Sequence, residues 1–219
     1  MLRFLFLFLF AVFCVIHLID SWKDDAAKRA KTKPFLLLLL ALYYICATDK
    51  INIFLLLALV TSWLGDVLLI KKGHKWFAYG GISFMFCHFF FIAVYAAKIQ
   101  FSRVPWLLIV PAAVIYYGIS LKVILALRPT TPKSMVVPMY VYLLANSTMN
   151  VFAFMQLLTT HLAGAWVAFI GAVLFFISDC TLFLVRYYKN ENLIFKKHFT
   201  VMLTYLLGEL LITQGILML

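Results

Sequence analysis

The sequence predicts an all-α polytopic membrane protein, a single bundle of eight transmembrane helices, and three observations carry that prediction. Of the 219 residues, 66% are hydrophobic and only 12% charged, against about 25% charged in soluble domains. The charges are gathered into short clusters that separate apolar stretches of about 16–26 residues, close to the ~20 residues that cross a hydrocarbon core as a helix. The basic clusters also fall in every second loop, as the orientation of a multi-pass chain requires.

The first apolar stretch, about 2–20, alternates Leu and Phe after a lone Arg3. Its apolar run is long and lacks an Ala-x-Ala-like cleavage site, so it reads as a retained span and not a signal peptide. The second, about 33–48, opens on Lys33 and Pro34, and the third, about 51–70, carries Asp66. The fourth, about 76–98, carries His88. The fifth, about 104–127, starts beside Pro105, holds Pro111 within it and leaves Lys122 near one end, where the long side chain reaches back to the interface. The sixth, about 134–158, follows Pro132, contains Pro138, and has Tyr142, Asn146 and Asn150 at i, i+4 and i+8, one helical face. The seventh, about 162–186, carries Ser178 and Asp179; the eighth, about 198–219, carries Tyr205 and Glu209 at i, i+4. Pro34, Pro105 and Pro132 are placed near span starts, where a missing N–H does no harm, and Pro111 and Pro138 are expected to kink their spans. Nothing between the spans is long enough to fold separately, so residues 1–219 are expected to form one transmembrane domain.

The net charge of +11 does not point to nucleic acid, because the cations follow topology. Fourteen of the 19 Lys and Arg residues fall in the loops after spans 1, 3, 5 and 7, and four on the opposite side. The odd loops are therefore expected to be cytoplasmic and both termini non-cytoplasmic. Cys14, Cys46, Cys87 and Cys180 show no ligand or disulfide spacing and read as small buried hydrophobes. A short echo links WLGDVLL at 63–69 to FISDCTL at 176–182, half a chain later, as two parallel halves of a repeat-built membrane fold would.

Three carboxylates, Asp66, Asp179 and Glu209, lie inside apolar runs. A charge at a bilayer centre costs about 2.5–3.5 kcal/mol on insertion scales, so such groups face a protein interior and mark functional pathways. Asp66 precedes Lys71 by five residues and Asp179 precedes Arg186 by seven, placing both at a similar depth, ~7–10 Å inside one boundary. Either carboxyl alone is equally a helix-packing group, and polar stripes such as that of Asn146 also serve as interhelical glue. Two nearby carboxyls in a dry site separate in acidity, giving one acid and one base. That pair suits a reaction through an oxocarbenium-like species with water attack, an aspartyl protease, or proton binding in a transporter.

The run LGDVLLI at 64–70, Phe77-x-x-Gly80, GISF at 81–84 leading to His88, and GAVLFFISD at 171–179 together resemble the YhhN-like family of lysoplasmalogenases. Lys33-Pro34, Tyr142 seven residues before Met149, and Thr204-Tyr205 extend the resemblance over essentially the whole chain. It departs at Phe91, where the family commonly has Tyr, at Leu206, which replaces a second Tyr, and at Glu209, in place of Gln.

The resemblance implies an eight-helix membrane fold and hydrolysis of the vinyl ether bond of a lysoplasmalogen, a lysophospholipid, to a fatty aldehyde and a glycerophospho-headgroup. Asp66 and Asp179 then match the catalytic pair, which of them is acid being left open. Lys33, His88, Tyr142, Asn146, Ser178, Tyr205 and Glu209 are the candidate substrate-binding and water-orienting groups, with the lipid phosphate near Lys33, Lys71, Lys72, Lys75 or Arg186. No metal or cofactor is expected, the partners are lipids, no nucleic acid is expected, and the oligomeric state stays open. A bacterial inner membrane is favoured over the endoplasmic reticulum. The alternative is a proton-coupled transporter using the same acids; an intramembrane aspartyl protease is disfavoured because its Pro-Ala-Leu sequence is absent.

Overall fold

The computed structural model describes residues 1–190 and 193–219. Eight α-helices account for most of them: α1 (Leu2–Trp22), α2 (Ala26–Ala47), α3 (Ile53–Leu68), α4 (His74–Ala96), α5 (Trp106–Leu127), α6 (Lys133–Thr160), α7 (Ala163–Tyr187) and α8 (Lys197–Leu217), with a 3₁₀ turn at Phe101–Arg103. No strand occurs among the described residues. Seven helices are long and apolar enough to cross a membrane, and the chain is a polytopic all-α membrane protein. The eighth, α3, has 16 residues, about 24 Å of helix against a core of about 30 Å.

Two boundaries differ from expectation for identifiable reasons. The second helix begins at Ala26, not near Lys33, because the Asp25 carboxylate caps it, accepting the Lys28 N–H at 3.0 Å. The hydrogen bonds to Lys28 hold this carboxyl below the ordinary carboxylate range. The cap adds two turns and leaves Pro34 inside α2 instead of at its start. The third helix is shortened from its other side, where Asn52 caps it by accepting from Phe54 and Leu55 N–H, the arrangement that Asn favours at helix starts. Pro105 and Pro132 do stand immediately before their helices, and Pro111 and Pro138 within theirs.

The chain divides into two compact units, 1–91 and 92–219. In the first, α1 packs on α2 and α2 on α3, around Leu36, Leu37, Leu40, Leu55 and Leu59, none of which reaches the surface. The outward side of α1 shows Phe4, Phe8, Val15 and Ile19, an apolar face of the kind that meets acyl chains. In the second unit, α6 packs on α5 and α7, and α7 on α8. Helix α6 is buried along most of its length, whereas α5 exposes Leu107, Val110, Val114 and Ile115.

The α7–α8 seam is built from small residues. A Cβ on Gly171 would lie 2.6 Å from the Ile212 nitrogen and 2.7 Å from the Gly208 oxygen, and one on Gly164 would lie 2.6 Å from the Gly215 oxygen. Backbone meets backbone there, as small residues permit between membrane helices. Of the four cysteines, all free, Cys87 and Cys180 are buried as expected. Cys14 is half-buried, and Cys46, at the end of α2, is exposed and corrects the expectation of a core position. Lys122 is exposed on α5.

Candidate functional site

In the first unit the intramembrane carboxylate is paired with a lysine of the neighbouring helix. Asp66, 2% exposed, lies near the end of α3, and its Oδ1 is 3.1 Å from the Lys33 ammonium of α2. One helical turn earlier on the same face of α3, the Trp63 indole N–H donates to the Pro34 carbonyl at 2.8 Å. The adjacent residues Lys33 and Pro34 therefore receive Asp66 and Trp63, spaced i, i+3, and the two contacts fix the register of α2 against α3. The start of α2 at Ala26 is what brings Lys33 within reach of Asp66.

Behind Asp66, Gly65 makes room for α4: a Cβ there would lie 2.6 Å from Phe84. Gly80 does the same for Leu69. The Ser83 hydroxyl donates to the Thr61 carbonyl at 2.7 Å, and Ser62 bonds Cys87 Sγ at 2.9 Å. His88 follows Cys87 and is fully buried.

The second unit holds Asp179 on α7 by a relay along α6. Asn146 Nδ2 donates to Asp179 Oδ2 at 2.7 Å, and Asn150 Nδ2 donates to Asn146 Oδ1 at 3.0 Å. All three side chains are buried. Tyr142, on the same α6 face, sets its ring edge-on to Phe183 at 5.3 Å, and Tyr205 of α8 does likewise with Phe175 at 5.4 Å. Phe175 and Phe183 stand four residues before and after Asp179, so aromatic pairs bracket the carboxyl along α7. The Ser178 hydroxyl donates to the Val201 carbonyl at 2.9 Å, which commits it to joining α7 to α8. Glu209 is fully buried on α8.

Each unit thus treats its aspartate alike. The carboxyl comes from the third helix of its unit's set, α3 or α7, and its polar partner from the second, α2 or α6. The residue just before it, Gly65 or Ser178, meets the fourth, α4 or α8. The short sequence echo around the two aspartates therefore has a counterpart in three contacts.

Of the sequence-derived candidates, Lys33 and Asp66 meet in the first unit, and Asn146 and Asp179 in the second. Tyr142, His88, Tyr205 and Glu209 are buried. Lys71 lies 4.0 Å from the centroid of the Trp76 ring, a cation–π contact. Lys72, Lys75 and Arg186 are exposed.

Two groups escaped sequence reasoning. Buried His17 of α1 places Nδ1 2.7 Å from the Thr32 hydroxyl of α2, one residue before Lys33. The signal was the spacing of His17, Asp20 and Ser21 at i, i+3 and i+4 at the end of an apolar run, a polar face hidden by the hydrophobicity around it. The second is Gln156, fully buried near the far end of α6.

The profile of the YhhN family matches residues 28–216 of this chain. No curated protein and no solved structure matches it.

Proposed function

Because the chain belongs to the YhhN family, matched from residue 28 to residue 216, we propose that it is a membrane-embedded hydrolase that cleaves the vinyl ether bond of a lysophospholipid. The observation that carries the reading is that each intramembrane aspartate is buried and oriented by a dedicated polar partner, Asp66 by Lys33 and Asp179 by Asn146. Any buried carboxyl needs a partner, and a partner that also fixes the carboxyl's position supplies what an acid–base group requires.

The partners divide the labour. Asp66, ion-paired with an ammonium, suits the anionic role: it stabilises the cationic intermediate and accepts a proton from water. Asp179, oriented by a neutral amide, suits the acid; its carbonyl oxygen accepts from Asn146 while its O–H donates.

Transfer of the Asp179 proton to the β-carbon of the vinyl ether breaks the C=C π bond and leaves an oxocarbenium ion. Water adds to the cationic carbon and gives its proton to Asp66. As the hemiacetal's bond to the glycerol oxygen breaks, its hydroxyl proton passes to that oxygen, releasing a fatty aldehyde and the glycerophospho-headgroup. Exchange with water returns Asp66 to the anion and Asp179 to the acid, with one water consumed per turnover. The phosphate would meet exposed Lys72 or Lys75 of the first unit or Arg186 of the second, and a bacterial inner membrane is the favoured setting.

Purified protein in detergent is given lysophospholipids that differ only in the chain linkage. Aldehyde release from the vinyl ether, with none from the ester or the saturated ether, supports the reading. Substrate flux across liposomes without product formation would favour the proton-coupled transporter instead.

A further inference from the structure

The hydrogen bonds that lead to Asp179 take their direction from their far end. The backbone carbonyl of Asn146, which can only accept, takes an N–H of the Asn150 side chain at 3.1 Å. That contact decides which way the Asn150 amide points. Its Nδ2 faces Asn146, and the same group donates to Asn146 Oδ1 at 3.0 Å. With its oxygen engaged, Asn146 turns Nδ2 to α7, and this is the atom that reaches Asp179 Oδ2 at 2.7 Å.

The reverse orientation of the Asn146 amide fills the same space, since its oxygen and its nitrogen are nearly alike in size. It would bring Oδ1 to Asp179. Asn150 excludes it, because Nδ2 of Asn146 would then face Nδ2 of Asn150, donor against donor. The consequence falls on the carboxyl. Facing a donor, Asp179 Oδ2 is held as an acceptor, so a proton on this carboxyl sits on Oδ1. Facing an oxygen, the carboxyl would carry its proton on Oδ2 and direct it into Asn146.

Asn150 is not placed as glue between helices. Polar side chains in that role bond across to a neighbouring helix, as Ser120 of α5 does with Ser147 of α6 and Tyr117 with Thr148. Asn150 is fully buried, and its hydrogen bonds go to Asn146, one turn earlier on its own helix. Its Oδ1 has no partner among the described residues, an arrangement that by itself destabilises a buried amide. What the side chain contributes is its two N–H groups, and both are directed at Asn146.

We infer that Asn150 is a positioning residue: it locks the Asn146 amide with its N–H toward Asp179 and thereby assigns the transferable proton of Asp179 to Oδ1. The orientation is a property of the second unit alone, and its part in catalysis rests on the hydrolase reading.

The orientation is tested without substrate. Infrared spectra of the protein in nanodiscs, at a pH low enough to protonate the carboxyl, are compared with those of Asp179→Asn, which identifies the Asp179 C=O band. In the parent this C=O accepts an N–H, which lowers its stretching frequency. Asn150→Leu frees Asn146 to turn, the acid then donates to Asn146 Oδ1, and the band should move to higher wavenumber. In an Asn146→Leu background the same change should move nothing, because Asn150 acts through Asn146. A band that stays in place in Asn150→Leu, or that moves as far when Asn146 is absent, overturns the inference. Asn150→Ala, which adds no bulk, gives the same reading where the leucine variant does not fold.

In a chain shown to release aldehyde, Asn150→Leu should lower kcat about three- to tenfold, the contribution of one neutral hydrogen bond, with KM unchanged. It should add nothing to the loss in Asn146→Leu. A shifted band with unchanged kcat overturns the catalytic part alone. A parent chain that releases no aldehyde overturns the hydrolase reading and leaves the orientation standing.

Discussion

The ammonium of Lys33 lies 3.1 Å from Asp66 Oδ1, with the carboxyl 2% exposed and the lysine side chain 15% exposed. A pair this far from water is stable only as a pair, since removing one partner leaves the other's desolvation uncompensated. It also ties α2 to α3 at the level where Trp63 reaches Pro34.

Lys33→Met should therefore destabilise the protein by about 3–5 kcal/mol, the usual cost of breaking a buried pair. The Lys33→Met/Asp66→Leu double variant should recover at least about 1 kcal/mol over the sum of the singles, as directly coupled residues do. Thermal unfolding in detergent reads both. Additive losses would mean that the two side chains do not act as a pair.

Asn146→Leu removes the donor that orients Asp179. Hydrogen bonds to charged or reacting carboxyls contribute about 1.5–3 kcal/mol, so kcat should fall roughly ten- to hundredfold. Steady-state aldehyde release measures it, with KM little changed because the amide touches the carboxyl and not the lipid tail.

The α7–α8 seam predicts a contrast between glycines. Gly171→Leu drives a side chain into the backbone of α8, where the first carbon alone would come within 2.6 Å of the Ile212 nitrogen. It should abolish the monodisperse peak in size-exclusion chromatography. Gly118→Ala, with nothing within 4 Å of its Cβ, should leave the peak unchanged.

At the start of α2, the folded Asp25 carboxyl titrates below its ordinary value because its hydrogen bonds to Lys28 favour the charged form. Its contribution is therefore fully present above the unfolded value near 3.9 and is lost as pH falls through the lower folded value. Protection factors for amides 28–30, from hydrogen exchange, should fall selectively below about pH 4. In Asp25→Ala they should be low at every pH.

Both aspartates were legible because a carboxylate in an apolar run is conspicuous, and the Tyr142–Asn146–Asn150 face because its spacing is that of a helix. The Lys33–Asp66 contact was not. It depends on α2 starting at Ala26, and the charged stretch before Lys33 reads as loop until Asp25 is seen to cap it. The shortness of α3 was hidden for a similar reason, since hydropathy continues past both ends of the helix while Asn52 fixes its start. Cys46 looked buried because its neighbours are apolar, but in a membrane protein apolar surroundings are as often lipid as core. Trp63 and His17 show the remaining gap: sequence gives the face of a helix and not the register of its neighbour.

The proposed hydrolysis requires both Asp66 and Asp179. The most direct measurement is aldehyde release from a vinyl-ether lysophospholipid by the parent, Asp66→Asn, Asp179→Asn and the double variant, each verified to be folded. Either single change should lower kcat by at least about a thousandfold, and the double variant should be no worse than the poorer single, as residues acting as a unit behave. Full activity in either folded single variant would contradict the joint role.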